Sequence, residues 1–218
     1  MSYARRNQEV VGLKNRTIKQ IAPALEVYAG TERGYRILRS ANSRLSQLID
    51  QNAGMPRAMK VHTKNEIFPC ISLYEAMQEN GIPKEAALEF LDTHWSRMAG
   101  KKANQIKLLL KLGHIYRLYP LLFQMMAKKC FGTKAGFRAR FYERGKLRCK
   151  FDMEKCLFLD TCKTYGCPEL TQCFCHTDDI NNEHLHPCLI WNRTCFMGKG
   201  DDFCDFDIYV EESGTERL

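Results

Sequence analysis

Two short segments towards the C-terminal end of the chain combine thiols with carboxylates. The first, CFCHTDD, runs from Cys173 to Asp179, and the second, GDDFCDF, runs from Gly200 to Phe206. A cysteine is the strongest side-chain nucleophile at neutral pH, but it needs a neighbouring cation or base in order to form a thiolate. An aspartate can orient that base or move a proton. The two segments therefore contain the residue types of a nucleophilic or acid–base catalyst.

The candidate catalytic residues are Cys175, His176 and Asp178 of the first segment and Cys204 and Asp205 of the second. If the first segment lies on a strand, Cys175 and His176 point to opposite faces, whereas Cys173 and Cys175 share a face. We expect the thiols and aspartates of both segments to converge, because the segments border strands that should be neighbours. Buried structural thiols are the alternative interpretation.

Cysteine is concentrated in one part of the chain: ten of the eleven cysteines lie between Cys130 and Cys204. Their spacings contain no C-x2-C pair, the pattern typical of structural zinc sites. His184 and His186 are separated by a single residue, so their two imidazoles leave a bound metal as an open alternative. We expect no cofactor. The odd number of cysteines and an N-terminus without a signal-peptide pattern predict reduced thiols and a cytoplasmic protein.

The net charge of +8 is unevenly distributed along the chain. Residues 1–129 hold 21 Lys and Arg against 10 Asp and Glu, whereas residues 130–218 hold 12 against 15. The cations are spread among apolar helical positions, and no nucleic-acid-binding motif is present. No stretch approaches the ~18 uninterrupted apolar residues of a membrane span. We therefore expect neither nucleic acid nor a membrane as a partner, and the oligomeric state is left open.

Helical periodicity dominates the N-terminal half. Residues 1–22 are interpreted as an arm. Apolar residues recur three, four and seven positions apart over residues 24–51, with an interruption expected near Gly30 and Gly34. A second apolar stripe over residues 104–129 predicts a helix that is bent or broken at Pro120 and that covers a sheet with its apolar side chains, Met125 and Met126 among them.

Between these two runs, capping signals predict two further helices. Ser72 followed by Glu75 has the spacing of a capping box, so a helix is predicted from Leu73 to Gly81. Pro83 suits the first turn of the next helix.

The hydrophobic period changes from about 3.6 to 2 at Gly136. Residues 137–142 and 146–151 alternate apolar and basic side chains, which predicts a hairpin with a turn at Arg144-Gly145. The basic face of this hairpin is interpreted as the outer face of a two-sided sheet, with an anion site as the alternative.

The remainder of the chain is predicted to complete the sheet. Asp152 is predicted to cap a helix over residues 153–165 that stops at Gly166. Two further strands are predicted over residues 188–196 and 203–210.

These elements predict an α+β fold, with N-terminal helices packed on a C-terminal, mostly antiparallel four-stranded sheet. The chain is divided into an N-terminal arm of residues 1–22, a helical part of residues 23–129 and a cysteine-rich α+β part of residues 130–218. We expect the three parts to form one compact unit.

The order of five motifs between Gly136 and Tyr209 resembles that of a known enzyme family. The motifs are FDMEKC (151–156), TYGCPEL (164–170), CFCHTDD, WNRT (191–194) and GDDFCDF. The most specific features are the closing Gly-x-x-x-Cys-Asp-Phe and the Cys-x-x-Asp of Cys175 and Asp178. The chain resembles the L-2-amino-thiazoline-4-carboxylic acid hydrolase family in these features.

The resemblance implies a hydrolase whose small-molecule substrate is a cyclic amidine or a related compound with a C–N or C–S bond. The family reaction opens L-2-amino-thiazoline-4-carboxylate to N-carbamoyl-L-cysteine. In a covalent mechanism a cysteine adds to C2, an aspartate holds the protonated amidine and a histidine moves protons. The candidates are Cys204 or Cys175, Asp178 or Asp205, and His176 or His186. In a non-covalent mechanism a carboxylate activates water. The substrate-binding candidates are His186, Arg193 and Asp201.

The chain also departs from the family pattern. Asp207 follows Phe206 where the pattern tends to a basic residue, and Cys188 and Cys195 are additional. The substrate therefore stays open within this chemical class. The competing function is a non-catalytic module that binds a small molecule or senses oxidants or metals through its thiols.

Overall fold

The computed structural model describes residues 15–142 and 145–211. Within them, helices precede a four-stranded antiparallel sheet, which confirms the predicted α+β fold. The chain forms two compact units, one ending at His94 and the other beginning at Trp95. The second unit contains the whole sheet and all the candidate site residues. None of the described helices is both long and apolar enough to cross a membrane.

The first helix, α1 (Arg16–Ala29), begins directly after Asn15. The Asn15 side chain accepts hydrogen bonds from the backbone N–H groups of Thr17 and Ile18 at 2.9 and 3.2 Å. Ile18 and Ile21 are fully buried. Residues 16–22, which the sequence assigns to an arm, are therefore part of a capped and packed helix. Residues 1–14 lie outside the described residues.

The interruption predicted near two glycines occurs at the first of them. Gly30 separates α1 from α2 (Thr31–Gln51) and has a φ of +77°, which favours glycine. Gly34 lies inside α2, where a Cβ atom would come within 3.2 Å of the Glu26 backbone. Its small size therefore allows α1 and α2 to pack closely.

The capping box predicted at Ser72 is wrong. A short α3 (Arg57–His62) and a π-helical turn (Thr63–Ile67) lead into α4 (Phe68–Glu79), and the Ser72 hydroxyl donates to the Pro69 carbonyl inside this helix at 2.9 Å. Glu75 forms an ion pair with Arg44 instead of capping. The helix begins earlier than predicted because Pro69 occupies its first turn.

The predicted helix over residues 104–129 is divided in the structure. α5 (Lys84–Leu110) begins directly after Pro83 and continues to Leu110. A 3₁₀ turn (Ile115–Leu118) then leads into α6 (Tyr119–Cys130). Pro120 lies in the first turn of α6, where its missing N–H disrupts no intrahelical bond.

The sheet consists of β1 (Arg138–Phe141), β2 (Arg148–Lys155), β3 (Leu189–Asn192) and β4 (Cys204–Val210). The strand order is β1-β2-β4-β3, and every neighbouring pair is antiparallel. The change of hydrophobic period at Gly136 therefore marks the start of the sheet, as predicted. The predicted turn residue Arg144 lies outside the described residues.

An aromatic layer covers one face of the sheet. Phe151 stacks on Phe206 with 4.7 Å between ring centroids, and Phe141 lies 4.8 Å from Phe151. From α6, Phe123 packs on Phe151 and meets Trp191 edge-on at 5.9 Å. This apolar contact fixes α6 against the sheet.

The opposite face carries paired charges. Arg148 donates through Nε and Nη2 to the two carboxylate oxygens of Asp207, at 2.9 and 2.6 Å. Asp152 pairs with Arg140 and accepts a hydrogen bond from the Tyr142 hydroxyl. Asp152 is thus a residue of β2, so the predicted helix cap at this position is wrong. The helix begins later, as α7 (Leu157–Thr164), and ends before Gly166 as predicted.

Candidate active site

The CFCHTDD segment lies on a helix and not on a strand. A 3₁₀ turn (Pro168–Leu170) leads into α8 (Thr171–Asn182), which contains the entire segment. Residues three and four positions apart share a helix face, so Cys175 is grouped with Asp178 and Asp179. Cys173 is buried on a different face. The strand-based pairing of Cys173 with Cys175 is therefore wrong.

The GDDFCDF segment leads into β4, with Cys204 as the first residue of the strand. Cys204 pairs with Met153 across β2 and β4 and is buried on the apolar face of the sheet. Its Sγ accepts a hydrogen bond from the backbone N–H of Met197 at 3.2 Å. This donor stabilises the thiolate form relative to the thiol.

One turn of the backbone touches both thiols. Met197 to Lys199 form a 3₁₀ turn between β3 and β4 that packs against α8. While Met197 donates to Cys204, the next residue approaches Cys175: a Cβ atom at Gly198 would lie 3.1 Å from the Cys175 Sγ. Cys204 is also close enough to Cys175 for a thiolate at Cys204 to raise the pKa of the Cys175 thiol.

Arg193 lies between the two segments. Its side chain is only 1% exposed, and Nη1 lies 3.5 Å from an oxygen of Asp178 and 3.4 Å from one of Asp179. The guanidinium also lies over the rings of Phe196 and Phe206, at 4.2 and 5.0 Å. Buried arginines need paired charges. Here Asp178 and Asp179 provide the paired charges, and both belong to α8, the helix that carries Cys175.

The opposite edge of the same guanidinium is unsatisfied. Nε and Nη2 of Arg193 are buried and have no hydrogen-bond partner among the described residues. A buried donor without a partner is costly, and such groups in native structures are uncommon. The edge is therefore available to an acceptor that the described residues do not supply.

Burial keeps both thiols protonated at neutral pH. It raises the pKa of Cys175 to about 11; the positive charge of Arg193 opposes this rise, and Asp178 adds to it. Burial also raises the pKa of Cys204, against the opposing effects of the Met197 N–H and Arg193. Activation of either thiol therefore requires a base to remove its proton.

A third thiol belongs to the same neighbourhood. Cys156 is the N-cap residue of α7, and burial raises its pKa to about 12. The backbone N–H of Leu159 opposes this rise, whereas Cys175 and Cys204 add to it. Cys156 was not among the residues selected from the sequence, because only the tertiary fold brings the end of β2 to the start of β4.

Asp205 and Asp201 hold backbone turns. The Asp205 carboxylate accepts hydrogen bonds from Thr194 N, Thr194 Oγ1 and Cys195 N at 2.8, 2.7 and 2.5 Å. Burial alone would raise the pKa of Asp205, but these donors outweigh it and lower the pKa. Asp201 accepts from Phe196 N at 2.6 Å. Both carboxylates therefore position the chain that leads from Arg193 to Cys204.

The two candidate histidines contact other parts of the second unit. His176 lies on an exposed side of α8, with Nδ1 3.4 Å from the Ser96 hydroxyl. His186 stacks on Tyr116 at 4.1 Å, and its Nδ1 accepts a hydrogen bond from Cys188 N at 3.1 Å. Burial lowers the pKa of His186. These contacts hold His176 against Ser96 and His186 against Tyr116 and the backbone of Cys188.

Besides Cys156, three parts of the site were not predicted from the sequence: Asp179, the Met197 N–H and Gly198. Asp179 carries a readable signal, because it follows Cys175 by four positions, which is a helical spacing. The other two act through the backbone, so their residue types carry little information. In the described part of the chain, no group of three or more His, Cys, Asp or Glu side chains is arranged to hold a metal ion.

Comparison with known proteins identifies a family. The family model of L-2-amino-thiazoline-4-carboxylic acid hydrolase matches residues 60–208, which is more than half of the chain and includes Cys175, Arg193 and Cys204. No curated protein and no solved structure matches significantly.

Proposed function

The chain belongs to the L-2-amino-thiazoline-4-carboxylic acid hydrolase family, and from this premise we propose that it hydrolyses a small cyclic amidine that carries a carboxylate. The first candidate substrate is 2-amino-thiazoline-4-carboxylate, opened to N-carbamoyl-cysteine. The observation that carries the proposal is the unpartnered edge of the buried Arg193 guanidinium beside Cys175 and Cys204.

The free edge of Arg193 has the geometry that binds a carboxylate. Nε and Nη2 donate two parallel hydrogen bonds, and the chain uses this pair elsewhere, where Arg148 binds Asp207. A planar carboxylate receives both bonds in a bidentate arrangement. A substrate carboxylate on Arg193 would satisfy the two buried donors.

Carboxylate binding at this edge would also position the reacting carbon. In 2-amino-thiazoline-4-carboxylate, C2 is separated from the carboxylate-bearing C4 by a single ring nitrogen. Fixing the carboxylate on Arg193 therefore keeps C2 near the thiols that this guanidinium influences. Phe196, which lies over the guanidinium, would move aside and then cover the bound ring. Holding the reacting groups in this way removes much of the entropic barrier.

Cys204 is the better supported nucleophile of the two thiols. It lies at the start of a strand in the centre of the sheet, and its Sγ accepts the Met197 N–H. This N–H and the charge of Arg193 both favour the thiolate. We assign the base to Asp178, whose side chain is 49% exposed and whose charge acts on both thiols. Asp178 can therefore exchange protons with solvent between turnovers.

The first half of the reaction breaks the C2–S bond of the ring. Cys204 gives its proton to Asp178, and the sulfur electron pair forms a bond to C2 while the C2–N3 π pair moves onto N3, which takes this proton. The exocyclic nitrogen then forms the new C=N bond. The ring sulfur leaves with the C2–S electron pair and accepts the proton released by that nitrogen. The product is an isothiourea on Cys204.

The second half releases the product. Water adds to the isothiourea carbon with Asp178 as the base, and the C–Sγ bond to Cys204 breaks. One water proton returns to Cys204 and the other reaches the imine nitrogen, which gives the urea of N-carbamoyl-cysteine. Only water is consumed, so no oxidant, reductant or metal is required by this balance.

A pair of substrates tests the assigned role of Arg193. The variant Arg193→Lys keeps the positive charge but lacks the two parallel N–H donors of the guanidinium. The control variant Arg148→Lys makes the same change outside the site. We expect Arg193→Lys to lower kcat/KM for 2-amino-thiazoline-4-carboxylate by about 10²-fold, with little effect on 2-amino-thiazoline, which lacks the carboxylate. Arg148→Lys should leave kcat/KM unchanged for both compounds. An equal loss of kcat/KM on both compounds would show that Arg193 does not bind the substrate carboxylate.

A further inference from the structure

The second unit exposes a concentrated set of large aliphatic side chains. They lie in a short stretch of the chain at the end of α5, in the following 3₁₀ turn and on α6, with exposed fractions from 42% to 68%. We call them the aliphatic surface: Leu108, Leu109, Leu112, Ile115, Leu118, Leu122, Met125 and Met126. Eight large aliphatic side chains, each at least 42% exposed, are more than the single apolar residues that are normally scattered over a protein surface.

α6 shows why this surface is unusual. Its inner side, with Pro120, Phe123 and Ala127, is buried against the sheet. Its outer side carries Leu122, Met125 and Met126, which the sequence predicts to face inward. That prediction is wrong, because the inner side alone covers the sheet. A helix that is apolar on both sides is normally buried on both.

Along the chain, the charged residues next to the aliphatic surface have one sign. Residues 93–142 contain eleven Lys and Arg and no Asp or Glu. Exposed cations adjoin the aliphatic residues along the chain on both sides, among them Lys101, Lys102, Lys111, Lys128 and Lys129. An apolar surface whose flanking exposed residues in the chain are lysines matches an occupant that is apolar inside and anionic at its edge.

We propose that the aliphatic surface docks on an anionic membrane surface. Leucine, isoleucine and methionine side chains would enter the boundary between headgroups and acyl chains, while the lysines remain at the level of the anionic headgroups. This mode of binding needs no membrane-spanning helix. The expectation from the sequence that no membrane is a partner considers only such a helix.

Other occupants fit the same surface less well. A second copy of the chain would bring two sets of cations together without a carboxylate in residues 93–142 to pair with them. A nucleic acid would match the charge, but single-stranded bases stack on aromatic rings, and the exposed residues are aliphatic. The proposal is independent of the hydrolase reaction.

Co-sedimentation of the full chain with lipid vesicles tests the proposal. One set of vesicles is pure phosphatidylcholine and the other contains 30% phosphatidylglycerol, a composition chosen to resemble an anionic membrane surface. We expect binding to the anionic vesicles, weakened by high salt. The triple variant Leu118→Glu, Leu122→Glu, Met125→Glu should bind at least tenfold more weakly. Replacing Lys101 or Lys111 by Gln should weaken binding about fivefold each.

The matched control is Val27→Glu with Val61→Glu, which adds charge at exposed apolar positions of the first unit. It should bind like the wild type, and circular dichroism should show that both multiple variants are folded. The proposal is overturned if the wild type does not bind anionic vesicles or binds neutral ones equally. It is also overturned if light scattering shows a dimer that only the triple variant dissociates.

Discussion

The backbone N–H of Met197 donates to Sγ of Cys204 over 3.2 Å. This bond connects the 3₁₀ turn after β3 to the first residue of β4. The same turn approaches Cys175 through Gly198, so the two thiols are held by consecutive residues of one short segment. The thiols lie far apart in the sequence, and this turn explains how the fold brings their segments together.

The first prediction concerns the nucleophile. Cys204→Ala should lower turnover at least about 10²-fold, because it removes the group that attacks C2. Cys188→Ala is the matched control, since Cys188 is a buried thiol of the same unit outside the turn. It should change turnover less than about threefold on this scale. Steady-state kinetics on the two folded variants provide the comparison, and equal losses would argue against Cys204.

The second prediction separates two neighbouring aspartates. Asp178→Asn should lower turnover at least about 10²-fold by removing the base, and it should cost less stability than the neighbouring change Asp179→Asn because the Asp178 side chain is 49% exposed. Asp179→Asn should instead lower the free energy of unfolding by about 1–3 kcal/mol, because Asp179 accepts the Trp191 Nε1–H and faces Arg193. Kinetics and urea unfolding measure the two effects. Interchanged effects would refute the assignment.

The third prediction concerns the turn that holds the thiols. Gly198→Ala places a methyl group 3.1 Å from Sγ of Cys175, so the thiol or the turn must move. Turnover should fall about 10- to 100-fold and stability by about 1 kcal/mol. Gly100→Ala in α5 is the control, because a Cβ atom there has open space and helix propensity favours alanine. If Gly198→Ala retains full turnover, the turn does not position the thiols.

The fourth prediction is a loss of stability at alkaline pH. Burial raises the pKa of Cys156 to about 12, against 9.0 for an ordinary thiol. The unfolded chain therefore releases this proton first, and stability that is complete below pH 9 falls as the pH rises towards 12. Cys156 should contribute a slope of about 1.4 kcal/mol per pH unit. Urea unfolding from pH 8 to pH 10.5 should show a smaller slope for Cys156→Ala, and an unchanged slope would contradict the prediction.

The sheet could be predicted because its signal is local. The apolar side chains after Gly136 recur with a period of 2, and an antiparallel four-stranded sheet is observed there. The helix α8 was missed because CFCHTDD is too short and too polar for its period to be decisive. The spacing of Cys175, Asp178 and Asp179 is nevertheless helical and was the available signal.

The interior of the site could not be predicted from residue types. Arginine is rarely fully buried, so the 1% exposure of Arg193 contradicts the usual preference and depends on tertiary partners. The three donors to Asp205 come from Thr194 and Cys195, which the sequence predicts to belong to the strand over residues 188–196 but which follow the observed end of β3 at Asn192. Adjacent residues of β4 point to opposite faces, so Asp205 and Cys204 have different neighbours.

The central claim is that this chain opens a cyclic amidine by means of Cys204, and its most direct measurement is product formation. Purified full-length protein is incubated with 2-amino-thiazoline-4-carboxylate, and N-carbamoyl-cysteine is quantified by mass spectrometry beside Cys204→Ala and Cys188→Ala. We expect rapid product formation by the wild type and Cys188→Ala, and at least about a 10²-fold lower rate for Cys204→Ala. Absence of product with the wild type, or an undiminished rate with Cys204→Ala, would contradict the claim.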